Sequence, residues 1–215
     1  MKSKLFIFFC AALFLTSCDK EIRYSCDDEI DKWVKENYEA IQTFSREEIS
    51  SYSRSYQVSI LGAINPERKK SLWNEKVRHI NILAWSEEEK EELISITELW
   101  HQIDYTRKEL QNNIDINEKL IHIIENCMGN FNWSEEFVYQ LFFTVGDVEA
   151  DRADEFLNAP PEDQGGGSGD KPKCNCRYSL GCAWSQRCHD ISCKTTSDCG
   201  VFGGSDCTGV CSGDY

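Results

Sequence analysis

The residues with the most reactive chemistry are cysteines, and eight of the chain's twelve lie in its last 42 positions. These eight are Cys174, Cys176, Cys182, Cys188, Cys193, Cys199, Cys207 and Cys211. Thiols at this density can form disulfides, bind zinc or exchange electrons. Structural zinc sites and redox motifs use pairs of cysteines with two residues between them, and the tail has no such pair. The spacing therefore favours a disulfide framework and predicts no metal and no cofactor.

The tail, residues 174–215, has too few apolar residues to form an ordinary core. Its scattered apolar side chains alternate with six glycines and several polar residues, so we expect disulfides to hold it together. Trp184 and Phe202 allow two interpretations. They either fill a small core or lie partly exposed as candidate contact residues for a receptor or lipid headgroup.

The amino terminus indicates export, the condition under which such a framework forms. Lys2 and Lys4 precede an apolar run from Leu5 to Leu15 that is too short to span a membrane and is typical of a signal peptide. The residues Leu15-Thr16-Ser17-Cys18 resemble the lipobox of bacterial lipoproteins. That resemblance implies a signal peptide over residues 1–17, lipid attachment at Cys18 and anchoring without a spanning helix. An ordinary signal peptide with a chance cysteine is the alternative.

Two cysteines remain after the tail, the lipobox and the signal peptide are counted. Cys26 and Cys127 either form a further disulfide or are two ordinary buried thiols. Their separation along the chain does not choose between these possibilities.

Between the lipobox and the tail the sequence is helical in its periodicity. After a tether at residues 18–25, we expect an all-α domain of five or six helices over residues 26–158. A capping box begins at Ser45, Trp85-Ser86-Glu87-Glu88-Glu89 starts another helix, Asn65 precedes a proline at a helix start, and Gly129 is expected to break the chain. Residues 159–173, rich in proline and glycine, then predict a flexible linker that leaves the tail free of the helical domain.

The net charge of −14 argues against nucleic acid as a partner. Residues 18–158 carry 16 lysines and arginines against 30 acidic residues, so this domain would repel nucleic acid. The same residues lack a recognisable catalytic motif. Glu118, His122 and Glu125 share a helical face, but no matching set of ligands accompanies them, and a solvated face is the simpler interpretation. We expect no catalytic residues and no enzymatic activity.

The order C-x-C-x5-C-x5-C-x4-C-x5-C-G-x6-C-x3-C, ending in Cys211-Ser212-Gly213-Asp214-Tyr215, resembles fulvocin C, a disulfide-rich peptide bacteriocin. The combination of lipoprotein signal, helical region and tail resembles the bacteriocin fulvocin C-related proteins. This resemblance implies an envelope lipoprotein whose tail has antibacterial activity by binding a component of the target-cell envelope.

The alternative is a non-toxic surface lipoprotein whose tail is an adhesion or interaction module. Both interpretations predict a lipid-anchored protein of the cell envelope, at the outer membrane of a Gram-negative bacterium, with the tail either displayed or released. The receptor, the membrane leaflet and the oligomeric state cannot be predicted from the sequence.

Overall fold

The computed structural model describes residues 22–106, 109–149, 151, 187–190, 198–207 and 209–212. Within these residues the fold is predominantly helical, which confirms the predicted all-α class. Eight α-helices are present in them: α1 (Asp28–Glu36), α2 (Tyr38–Ile41), α3 (Arg46–Ser50), α4 (Arg54–Ala63), α5 (Pro66–Ile82), α6 (Glu87–Trp100), α7 (Ile114–Phe131) and α8 (Glu135–Phe142). The described part also has two 3-10 helices, η1 (Leu110–Asn113) and η2 (Val201–Gly203).

Four short strands follow in the tail. They are β1 (Arg187–Asp190), β2 (Asp198–Cys199), β3 (Ser205–Asp206) and β4 (Gly209–Ser212). β1 pairs antiparallel with β4, and β2 pairs antiparallel with β3, giving two separate two-stranded sheets. Since two-stranded ribbons are marginally stable in water by themselves, these strands need covalent or tertiary support.

Helix starts are where the sequence was most informative. Ser45 forms the predicted capping box at the beginning of α3, and the helix start predicted at Ser86 is also a capping box, at the beginning of α6. Asn65 accepts a hydrogen bond from Arg68 N at 2.8 Å, with Pro66 at the first helical position of α5. These side chains satisfy backbone N–H groups that have no partner within the helix.

Two expectations about the helices were wrong. The described residues contain eight helices, not five or six, because α2 follows α1, and α4 follows α3, after breaks too short for periodicity to resolve. Gly129 does not break the chain but lies inside α7, which continues to Phe131. The left-handed turn falls instead on Asn132, at φ 54°, since asparagine tolerates this conformation better than most residues.

The core is built from tryptophans and branched aliphatic residues. Trp73, Trp100 and Trp133 are each no more than 1% exposed. Val201 and Phe202 of the tail belong to the same buried cluster as these tryptophans. The helical core therefore includes two residues that the sequence assigned to a separate module.

The tail is consequently not free of the helical domain over residues 199–207. The tail has little apolar material of its own, and only disulfides were expected to stabilise it. The structure shows that the tail is also stabilised by packing Val201 and Phe202 into the core of the helices. The proposed linker at residues 159–173 lies outside the described residues.

Candidate functional site

The most elaborate contact in the described structure joins the tail to the helices. We call residues 199–207 the docked loop. The side chains that receive it form what we call the cradle, which consists of Trp73, Trp100, Tyr105, Asn113, Asn117 and Phe142. These residues come from α5, α6, the segment after α6, η1, α7 and α8. The cradle thus requires most of the helical domain to be assembled.

Asn117 contacts the backbone of the docked loop through both atoms of its amide. Its Oδ1 accepts from the Val201 N–H at 3.0 Å, and its Nδ2 donates to the Gly204 carbonyl at 3.3 Å. Nδ2 also donates to the Asn113 carbonyl at 3.1 Å, which fixes the orientation of the amide. A buried amide that uses its donor and acceptor in this way is costly to replace, because truncation leaves backbone groups unpaired.

Asn113 and Tyr105 complete the polar contacts. Asn113 Nδ2 donates to the Gly204 carbonyl at 3.0 Å and to the Asp104 carbonyl at 2.9 Å. The Tyr105 hydroxyl donates to the Phe202 carbonyl at 3.1 Å and accepts from Trp100 Nε1 at 2.8 Å. Three backbone groups of the loop are therefore hydrogen-bonded by cradle side chains, which satisfies polar atoms that burial would otherwise leave unpaired.

Phe202 occupies the aromatic centre of the cradle. Its ring centroid lies 5.3 Å from that of Trp73, 5.7 Å from that of Trp100 and 5.7 Å from that of Phe142. The ring planes against Trp73 and Phe142 are near perpendicular, at 82° and 86°. Edge-to-face geometry of this kind is favourable beyond the burial of apolar area.

The loop can approach Asn117 this closely because of its glycines. Gly200 has φ 85° and ψ 175°, a region that side chains with a Cβ essentially do not adopt. A Cβ on Gly200 would lie 2.5 Å from Asn117 Oδ1, and one on Gly204 would lie 2.9 Å from Ile103 Cδ1. Gly200 is therefore required by the docked geometry, whereas the contact at Gly204 is with the end of a flexible side chain that can shift.

The loop is closed by its own covalent bond. A disulfide joins Cys199 to Cys207, with their Cα atoms 5.1 Å apart, and the Ser205 hydroxyl donates to the Cys199 carbonyl at 3.0 Å. The loop thus enters the cradle as a constrained ring. Phe202 is held at φ 54°, an uncommon conformation for a residue with a side chain.

Of the two candidate contact residues, Phe202 and Trp184, the structure describes only Phe202. Phe202 is 1% exposed, so the hypothesis that it is a surface contact is wrong in this structure. It does serve as a core residue, but of the helical domain and not of a separate small module. Trp184 lies outside the described residues.

The cysteine predictions are resolved in part. Cys26 is disulfide-bonded, whereas Cys127 is a free buried thiol, so the suggested Cys26–Cys127 disulfide does not form. Burial, with smaller effects from Glu92 and Glu89, raises the pKa of the Cys127 thiol to about 12. Cys127 behaves as a small apolar core residue.

Of the eight tail cysteines, Cys199 and Cys207 form a disulfide as predicted. Cys188 and Cys211 are backbone partners in the β1–β4 register. The proposed lipid attachment residue, Cys18, lies outside the described residues, as do Cys174, Cys176, Cys182 and Cys193.

The described part of the chain offers little support for other sites. Glu118, His122 and Glu125 are all exposed, in accord with a solvated helix face. No group of three or more histidine, cysteine, aspartate or glutamate residues is placed to hold a metal ion within that part. No helix among the described residues is long and apolar enough to cross a membrane.

A second buried polar cluster stabilises the end of α8. Lys76, which is fully buried, donates to the Gly146 carbonyl. Arg46 donates to the Val145 carbonyl at 2.5 Å and to the Gly146 carbonyl at 3.2 Å, and it pairs with Asp147 at 2.7 Å. Burial, followed by the charge of Arg46, lowers the pKa of Lys76 to about 7. This cluster ties α3 and α5 to the turn after α8.

The two asparagines of the cradle were not identified from the sequence. Asn113 and Asn117 are four residues apart and therefore share one helical face, but this spacing is also typical of any solvated helix. The available signal was in the tail, where the apolar pair Val201-Phe202 is flanked by glycines.

Comparison with protein-family models, curated proteins and solved structures finds no match to this chain.

Proposed function

We propose that this chain is an exported bacterial lipoprotein that carries a fulvocin C-like module and acts by binding a component of a target-cell envelope. The observation that carries the proposal is the eight-cysteine tail behind a signal peptide and lipobox. The Cys199–Cys207 disulfide supports it, because disulfides persist in oxidising compartments outside the cytoplasm. The lipid on Cys18 would hold the protein at the outer membrane of a Gram-negative bacterium.

The contact between tail and helices adds a role for the helical domain. Hydrogen bonds from Asn113, Asn117 and Tyr105, together with the burial of Phe202, hold one loop of the tail in a defined position. The helical domain is then a carrier that organises the module and not merely a spacer. Binding, and not catalysis, is the activity that this arrangement supports.

A non-toxic surface lipoprotein is the second candidate function. The burial of Phe202 favours this candidate, because the docked loop then stabilises the protein's own core, as a purely structural tail would. In that case the rest of the tail would bind a surface polymer or a partner protein without harming a neighbouring cell.

The test combines the chemistry of the mature protein with its activity. Mass spectrometry of protein from membranes should show a lipid on Cys18 and the loss of residues 1–17, and a Cys18→Ala variant should keep the precursor mass. The oxidised mature chain should then bind the envelopes of related bacteria and inhibit their growth, whereas reduced and alkylated chain should do neither. Envelope binding without inhibition would favour the second candidate, and failure of both would contradict the first.

A further inference from the structure

We propose that the cradle is a separable binding site whose ligand is a disulfide-closed, glycine-rich loop with one aromatic residue at its tip. In this structure the ligand is the docked loop of the same chain. The cradle would also accept the same ring when it is supplied as a separate molecule. This assigns to the helical domain a recognition function that goes beyond carrying the tail.

The cradle contacts both the backbone and the aromatic side chain of the loop, as a specific binding site contacts its ligand. Asn117, Asn113 and Tyr105 hydrogen-bond the loop at Val201 N–H, Gly204 C=O and Phe202 C=O, across sequence separations of 84 to 97 residues. Backbone groups at both ends of the turn are thus fixed. The aromatic pocket then selects the side chain between them.

The ligand is pre-organised independently of the cradle. The Cys199–Cys207 disulfide, the Cys199–Ser205 pair of the β2–β3 register and the bond from the Ser205 hydroxyl all lie within the loop itself. A ring that already has its bound shape loses little conformational entropy on binding. The oxidised nonapeptide Cys-Gly-Val-Phe-Gly-Gly-Ser-Asp-Cys, residues 199–207, therefore contains the whole recognised surface.

The inference has a consequence for activity, and this consequence rests on the proposed function. While the loop is docked, Phe202 is 1% exposed and cannot reach a partner. Attachment within one chain gives the loop an effective concentration of about millimolar or more. The cradle thus keeps the most apolar part of the tail sequestered until the loop is released.

The experiment uses mature full-length protein in which the loop has been expelled from the cradle. Phe202→Asp should do this, because an unpaired carboxylate is not tolerated among three aromatic rings. Gly200→Ala is a second expelling variant, since its Cβ would collide with Asn117 Oδ1. Neither substitution alters a cradle residue. Ile82→Asp, at a side chain that is 79% exposed, is the matched control.

The probe is the oxidised nonapeptide with a fluorophore at its amino terminus, and the measurement is fluorescence anisotropy. We expect the peptide to bind the expelled variants at least tenfold more tightly than the wild-type chain or the Ile82→Asp control, in which the cradle is occupied. Adding Asn117→Ala to an expelling variant should weaken binding at least tenfold. A peptide with alanine in place of phenylalanine should bind no better than a scrambled ring.

The outcomes separate this inference from the proposed function. Equal binding to wild-type and expelled chains, or an expelled chain that is folded by circular dichroism but binds no peptide, would overturn it. If both expelling variants unfold, the loop is an integral part of the core and the cradle is not a separable site. None of these results depends on whether the protein kills or binds a target cell.

Discussion

Truncating Phe202 to alanine should destabilise the helical domain, although the residue lies in the cysteine-rich tail. The phenyl ring is 1% exposed and contacts the rings of Trp73, Trp100 and Phe142. Replacing a buried phenylalanine by alanine costs about 3–5 kcal/mol when the surroundings cannot collapse into the space. The left-handed backbone at φ 54° is equally unfavourable for alanine, so no relief of strain offsets this loss.

The assay is urea unfolding of the oxidised mature chain, followed by tryptophan fluorescence. A loss of about 3–5 kcal/mol would be a large share of the stability of an ordinary domain. The matched control is Ile94→Ala, at a side chain that is 59% exposed, for which we expect a change within about 0.5 kcal/mol. If Phe202→Ala costs less than about 1 kcal/mol, the loop is not docked as described and the reasoning fails.

Three further predictions concern other features of the core. Gly200→Ala should lose about 2–3 kcal/mol of unfolding free energy because of its φ of 85° and the collision with Asn117, measured by the same urea titration. Because the pKa of Lys76 is lowered to about 7 in the folded state, the unfolded chain binds more protons above that pH. Lys76 should therefore raise the free energy of unfolding by up to about 1.4 kcal/mol for each pH unit between pH 7 and 10. This slope should be lost in Lys76→Met, in which Arg46 still donates to the Gly146 carbonyl. The Cys127 thiol, with its pKa raised to about 12, should resist iodoacetamide at pH 8 in the folded protein and react after unfolding, as followed by peptide mapping; rapid labelling of the native chain would contradict its burial.

Local features of the fold could be predicted because their causes are local. The capping box at Ser45 and the helix start at Ser86 depend on residues within three positions of each serine, and both were found where the sequence placed them. The helical class followed from the spacing of apolar residues. The end of α7 could not be predicted, because both Gly129 and Asn132 are plausible stop signals and tertiary packing chose the second.

The docking of the tail could not be predicted because its partners are distant in the chain. Asn117 and Val201 are 84 residues apart, and neither position has a local pattern that identifies the other. Glycines such as Gly200 and Gly204 are typical of tight turns, but nothing in the sequence shows that the side chain of Asn117 lies against Gly200. Phe202 was interpreted as a possible surface contact for the same reason, since its burial depends entirely on helices far away in sequence.

The most direct test of the account is hydrogen exchange at the Val201 amide in oxidised mature protein. This N–H donates to Asn117 Oδ1 at 3.0 Å and lies in a buried segment. If the helical domain holds the tail, exchange should be slowed by orders of magnitude and should speed up sharply in Asn117→Ala. Exchange at the rate of an unprotected peptide in the wild-type chain would show that the loop is free and would contradict the central claim.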